Sequence, residues 1–307
     1  MDDGRSLVLR RHIDDYVGTM NDWFLTNNIW SQYNVVSTEG KRIVWERLEE
    51  LVRKGELEKQ GQRYRRRQKG RKLDSKADPL DVVVMNWPRS LDDSTDFGLD
   101  QVKIFSKAII IVSGVSNFAK TTFCINVIAE NVDNPHFKVK YMTNELADEE
   151  LVDRLSPINW VDLYDEDGEY RFEAIEKFDH WDDEIEPDFI NIIDYLDPGS
   201  EFYDVGNIID KIKQRLGKGI AIIAIQKGVG KYKGKDGKDH YSIAQYGVGG
   251  QFSEHRARVV IHLDPTDDKG VVMLTIKKAK GIMSGRKYTF TVIERGSRFH
   301  DIQEVYE

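Results

Sequence analysis

A chain of 307 residues has room for two domains, one small and one of about 200 residues. Hydrophobic residues at 40% support a buried core and charged residues at 32% a solvated surface, while no apolar run reaches the roughly 18 residues of a membrane span. The single cysteine, Cys124, excludes an internal disulfide framework and a cysteine-based zinc site, and the charged N-terminus MDDGRSLVLRRHIDDY lacks a signal-type apolar stretch, so a cytoplasmic location is expected.

The net charge of −8 is unevenly spread. Residues 1–76 hold 17 Lys and Arg against 12 Asp and Glu, whereas the remainder holds 28 against 41. A basic module on an acidic body points to a polyanion partner for the N-terminal part, although the RYRRRQKGRK run taken alone also reads as a solvated tail. Residues 7–19 and 21–31 read as amphipathic helices. A third helix opens at Ser37-Thr38-Glu39-Gly40, repeats Ile43, Val44, Leu48, Leu51 and Val52 at helical spacing, and stops at Gly55. ELEKQ and QRYRRR follow as short strands around Gly61. Three helices and a hairpin make a winged-helix pattern over residues 1–72, a duplex-DNA reader or else a protein-binding module. Lys41, Arg42, Arg47, Arg63, Arg65, Arg66 and Arg67 lie on its third helix and wing as candidate phosphate contacts. Residues 73–100 read as a linker and lead-in.

The segment KAIIIVSGVSNFAKTTFCINVIAEN is an apolar strand, a loop and a helix. Gly114, Val115, Ser116, Asn117, Phe118, Ala119, Lys120, Thr121 and Thr122 fit a phosphate-binding loop, with Ala119 where a second glycine is usual. Backbone N–H groups and the helix N-terminus cradle phosphates in such a loop, with Lys120 on the β- and γ-phosphates of ATP and Thr121 on Mg²⁺. An alanine forced into a left-handed backbone there costs on the order of 1–2 kcal/mol.

Further along, a strand from Val139 leads to Glu145, a carboxylate suited to orienting or deprotonating the attacking water, or a helix-start residue before ADEELVDRL. The stretch 161–188 is acidic and reads as a surface insertion. Asp194 ends the apolar run PDFINIID and is the candidate metal-holding acid, with Asp197 as the near alternative. A strand over 219–225 ends on Gln226, a candidate γ-phosphate sensor. The lysine-, glycine- and tyrosine-bearing loop that follows, with Lys231, Lys233 and Lys235, suits single-stranded DNA or else is merely solvated. Strands over 258–263 and 271–276 lead to Lys277-Lys278-Ala279-Lys280, a source of positive charge for a neighbouring subunit's nucleotide.

Taken together, GVSNFAKTT, YMTNELADEELVDRL, INIIDYLD, IAIIAIQ, GVGGQFSEHRARVVIHL and TIKKAKG resemble the RecA-like ATPases of the DnaB-type replicative helicase branch, most of all winged-helix-bearing phage and prophage versions. The resemblance covers roughly residues 95–290. It implies an α/β fold with a mainly parallel central sheet over residues 101–307, an ATP hydrolase using Mg²⁺, and a homo-oligomeric ring or filament, hexameric in the ring form, acting on DNA. It also implies Lys120 and Thr121 as nucleotide and metal contacts, Glu145 as catalytic carboxylate, Asp194 as Walker B acid, Gln226 as sensor and Lys277 as a trans-acting lysine. The family's arginine finger falls on Ala279, leaving Lys278 or Lys280 to substitute. The family's usual N-terminal helical domain is replaced by the winged helix, which bears more on fork unwinding than on hydrolysis. A helicase-loading or regulatory DNA-binding protein with weak ATPase activity is the alternative.

Overall fold

The computed structural model describes residues 3–20, 22–67, 72–90, 92, 94–196, 204–233 and 239–306, in two units, Met1–Ala77 and Asp78–Glu307.

The first unit runs α1 (Asp3–Thr19), β1 (Phe24–Leu25), α2 (Thr26–Gln32), α3 (Thr38–Arg53), β2 (Leu57–Gln60) and β3 (Arg63–Arg66). The strands form an antiparallel sheet in the order β1-β3-β2. Ser37 caps α3, its hydroxyl accepting from the Gly40 N–H at 3.0 Å, so the expected helix start lies where the side chain satisfies an orphan donor. Gly61 closes the β2–β3 hairpin at a φ of 60°, left-handed backbone that glycine adopts without strain. Ile13, Ile29, Val44, Leu48 and Leu57 are fully buried in this unit's own core. The two-residue strand β1 was beyond the sequence pattern; its pairing of Phe24 with Tyr64 places it in the sheet.

The second unit is built on a mainly parallel sheet. Its elements are β4 (Ile109–Gly114), α4 (Lys120–Asn131), β5 (Val139–Thr143), α5 (Asp148–Leu155), β6 (Glu173–Glu176), β7 (Ile190–Asp194), α6 (Val205–Arg215), β8 (Ile220–Lys233), β9 (Asp239–Gly247), α7 (Gln251–Arg256), β10 (Val259–Pro265), β11 (Val271–Lys278), β12 (Lys287–Ile293) and β13 (Arg298–Val305). The strand order is β13-β12-β11-β10-β4-β8-β7-β5-β6, with β9 on β8. From β10 to β6 the pairs are parallel; β11, β12 and β13 extend the sheet antiparallel. Every residue of β4 is buried, as a parallel strand covered on both faces requires. Alternation then sorts its side chains: Ile110 and Val112 enter the core that contains α4 residues Phe123 and Ile128, while Ile109 and Ile111 enter the core that contains α6 residues Ile209 and Ile212.

Four expectations change. The lead-in belongs to this unit, because Val83, Trp87, Phe97 and Leu99 are buried in its larger core. The acidic stretch is not simply an insertion: it supplies edge strand β6 and the buried Trp181. The strand leading to Gln226 continues to Lys233 and pairs antiparallel with β9, so the expected glycine-rich loop is largely a β-hairpin. The C-terminal β12 and β13, unassigned from sequence, pack Phe290 and Phe299 against Phe97 with ring centroids 5.4 Å apart in each pair.

Candidate active site

The carboxyl ends of β4, β5 and β7 lie at one edge with Gln226 of β8, and the chemistry-bearing side chains gather there. Register pairs Thr143 with Asp194 and Gly114 with Gln226. A cavity of about 470 Å³ opens beside this edge, within the usual range for small-molecule sites. Asn117, Phe118, Ala119, Lys120, Thr121, Thr122 and Glu145 line it.

The loop after β4 has the backbone a phosphate cradle needs. Gly114 lies so close to β10 that a Cβ there would sit 2.8 Å from the Leu263 carbonyl oxygen. Asn117 and Ala119 both take positive φ, 63° and 61°; asparagine tolerates this, alanine does so at a cost. Ala119 then stands at the N-terminus of α4, whose first N–H groups form a ready anion site. The expected left-handed strain at Ala119 is therefore present.

Lys120 is buried, and its Nζ donates to the Val115 carbonyl at 2.9 Å. Burial lowers its pKa, against the raising effect of the Asp194 and Glu145 charges. Thr122 lines the cavity, but its hydroxyl proton goes to the Gly296 carbonyl at 2.5 Å, so its side chain has no donor left for a ligand. Asn126 ties the same helix to the Ser297 carbonyl at 2.8 Å. Ser116 and Asn117 are exposed at the loop tip and Val115 is buried.

Asp194 is fully buried. Its Oδ2 accepts from the Tyr141 hydroxyl at 2.9 Å, while Oδ1 has no hydrogen-bond partner among the described residues. Burial pushes its pKa up to about 6, with Glu145 adding to the rise and Tyr141, Thr121 and Lys120 opposing it. The Tyr141 hydroxyl is itself raised well above its ordinary value by burial and by Asp194, so it remains a donor. An orphaned carboxylate oxygen and a nearby threonine hydroxyl suit Mg²⁺, which takes one or two protein oxygens and completes its shell with phosphates and water. Asn144 clamps this end of β7, its Oδ1 accepting from Tyr195 N–H at 3.2 Å and its own N–H donating to the Asp194 carbonyl at 3.4 Å. Asp197 lies outside the described residues.

Glu145 lies two residues beyond β5 and three before α5, exposed on the cavity wall, with its N–H donating to Thr143 Oγ1 at 3.1 Å. It is therefore not the first residue of the helix. Gln226 sits beside Gly114, and its carbonyl accepts from Val248 N–H at 2.8 Å at the root of the hairpin. Arg154, Val272, Val292 and Gly296 also line the cavity. Sequence reasoning missed them because they arrive from α5 and from the antiparallel strands, with no motif of their own.

The remaining candidates stand apart. Lys277 is exposed at the end of β11, near Lys227, His262 and Asp264. Lys278 donates to the Glu254 and His255 carbonyls at 2.9 and 3.2 Å, capping α7, while Lys280 is exposed. Lys227, the first lysine of the expected DNA loop, is buried in a pair with Asp264 at 2.7 Å. The backbone of Lys231 and Lys233 lies on β8, and Lys235 lies outside the described residues.

In the first unit, Arg42 pairs with Glu39 and Glu46 at 2.6 and 2.9 Å. Arg47 grips Asp14 through two bonds of 2.8 Å and meets Glu50 at 2.9 Å, with its side chain only 16% exposed. Lys41 lies over the Trp30 ring, Arg65 pairs with Glu58, and Arg66 donates to the Gly18 carbonyl. Arg63 and Arg67 are exposed.

No protein-family model matches the chain. No curated protein matches its sequence. Among solved structures, the RadB recombinase aligns with a TM-score of 0.46 and 14% identity, over 67% of this chain and 97% of its own. The ATPase domain of G40P aligns with a TM-score of 0.46 and 14% identity, over 65% of this chain and 87% of its own. No described helix is long and apolar enough to cross a membrane.

Proposed function

We propose that this chain is a RecA-like P-loop ATPase of the DnaB-type branch, coupling ATP hydrolysis to movement on, or remodelling of, DNA. The observation that carries the reading is the convergence at one sheet edge of Lys120, Thr121 and Glu145 on a cavity, with a buried Asp194 that keeps one oxygen unpaired. Lys120 and the α4 N-terminus would hold the phosphates. Thr121 and Asp194 would hold Mg²⁺, which when bound neutralises charge on the transferring phosphoryl group. Glu145 would orient the attacking water and take its proton. Gln226, beside Gly114 and at the hairpin root, would relay the γ-phosphate state to β8 and β9.

Oligomerisation as a ring or filament would bring Lys277, exposed on β11, to a neighbour's nucleotide. Single-stranded DNA would follow the β8–β9 hairpin. The helix–strand–helix–helix–strand–strand order of residues 3–66 supports a winged helix, with duplex DNA met by the exposed Arg63 and Arg67 rather than by Arg47. A protein-docking role for this unit is favoured by a separate observation: α3 shows an exposed Trp45 beside arginines already neutralised by carboxylates.

The test is ATP turnover with and without single-stranded DNA, in the wild type and in Glu145→Gln. Stimulation by DNA and loss of turnover in the variant are expected. Turnover indifferent to both would sink the motor reading.

A further inference from the structure

At the opposite end of β4 from the phosphate loop lies a second pocket, of about 290 Å³, lined by Phe105, Ser106, Lys107, Lys213, Arg256 and Arg258. It shares no lining residue with the nucleotide cavity, and the five steps of β4 between them span about 16 Å. Four cationic side chains converge on it from four places: the approach to β4, the end of α6, the end of α7 and the start of β10.

Among the described residues, only part of this charge is answered. Arg256 Nε pairs with Asp210 at 2.7 Å. Arg258 is stacked on the Phe105 ring at 5.4 Å, and its Nε is buried without a hydrogen-bond partner among the described residues.

We propose that this pocket binds a phosphate group, as a second anion site separate from the nucleotide cavity. Phosphate fits the lining better than a carboxylate. One arginine fork satisfies a carboxylate, whereas a phosphate brings up to two negative charges and enough acceptor oxygens for guanidinium, ammonium and hydroxyl donors together. The Ser106 hydroxyl and the two lysines supply those further donors. The phosphate comes either from a nucleic-acid backbone or from a small phosphorylated ligand, and the two sources differ in salt dependence.

The test uses the full chain, with inorganic phosphate titrated calorimetrically at constant ionic strength. Lys120→Ala is the background, so that the phosphate loop is silenced. Two further variants are compared in it: Lys213→Glu, at an exposed helix position, and Lys107→Asn, which keeps a residue tolerant of the positive φ of 61° found there. Binding in the background and weakening by about tenfold or more in each added variant is expected. Single-stranded oligonucleotide affinity is then followed against salt in Lys213→Glu with Lys120 intact. A fall in the slope of log K on log salt by about 0.7 assigns the site to a backbone phosphate, and an unchanged slope to a small phosphorylated ligand. Absence of phosphate binding in the background, or equal affinity in all three proteins, overturns the proposal.

Discussion

Replacing Ala119 by glycine tests the phosphate loop at its most unusual position. The alanine holds φ 61° and ψ 13° as the residue preceding α4. Left-handed backbone costs an L-residue about 1–2 kcal/mol, and glycine relieves it. Against that gain, glycine loses about 0.4–1 kcal/mol more backbone entropy on folding. The methyl, partly buried against the larger core, contributes a few tenths of a kcal/mol out of about 0.8 for a fully buried group. The balance favours glycine by about 0.5 kcal/mol, a rise of roughly 1–2 °C in the melting midpoint of a unit this size. Ala119→Val amplifies the same logic in reverse, since a β-branched side chain is a true outlier at positive φ, and should lose about 2 kcal/mol or more. Thermal unfolding and nucleotide affinity of the three proteins decide the matter. A glycine variant that melts several degrees lower or binds nucleotide markedly worse would refute the strain argument and make the alanine a functional part of the loop.

Asp194→Asn should stabilise the ligand-free chain above neutral pH. The native carboxyl titrates at about 6 against 3.8 for its ordinary value, so the folded state holds the extra proton between those values and stability falls as pH rises through them. The two-unit shift sets an upper bound of about 3 kcal/mol on the variant's gain above pH 6, vanishing below pH 4; urea unfolding across this range checks it, and a gain independent of pH would contradict it. Gly114→Ala, which drives a methyl to 2.8 Å from the Leu263 carbonyl, should cost about 1–3 kcal/mol and weaken nucleotide binding, read by thermal unfolding and titration. Arg47→Ala should destabilise the first unit by about 1 kcal/mol or less, since Asp14 is left to water and Glu50 keeps Arg10 and Lys54. Arg47→Lys should rescue it poorly, because an ammonium does not reproduce the fork; hydrogen exchange in α1 and α3 is the readout.

What the sequence revealed and what it concealed divide along physical lines. The strand–loop–helix that carries the proposed phosphate site was legible because strand, glycine, lysine and helix follow one another in order. The place of Asp194 at the end of a buried strand was legible because a mostly apolar run ending on a carboxylate is what a parallel strand buried on both faces looks like. The β8–β9 hairpin was not, because its glycines and lysines carry no alternating pattern and suggest mobility, while the pairing that orders them is long-range. β12 and β13 were missed for a related reason: their aromatic residues gain meaning only by meeting Phe97, nearly two hundred residues upstream. On α3, Arg47 looked like a phosphate contact until tertiary structure placed Asp14 against it. Charge counted along a sequence gives no account of which partners folding supplies.

Several of the costs in this fold fall together. At one sheet edge lie an alanine and an asparagine in left-handed backbone, a buried lysine whose Nζ donates to a backbone carbonyl, and a buried aspartate with one oxygen unpaired among the described residues. The asparagine costs little, while the alanine, the buried lysine and the unpaired carboxylate oxygen each cost on the order of 1 kcal/mol or more. A phosphate chain with a divalent cation would offset them together: its oxygens meet the lysine and the helix N–H groups, and the cation meets the orphaned carboxylate oxygen. The joint burial of Lys120 and Asp194 therefore argues for the site independently of the motif, since a chance strand–turn–helix would have no reason to bury both within reach of each other's charge.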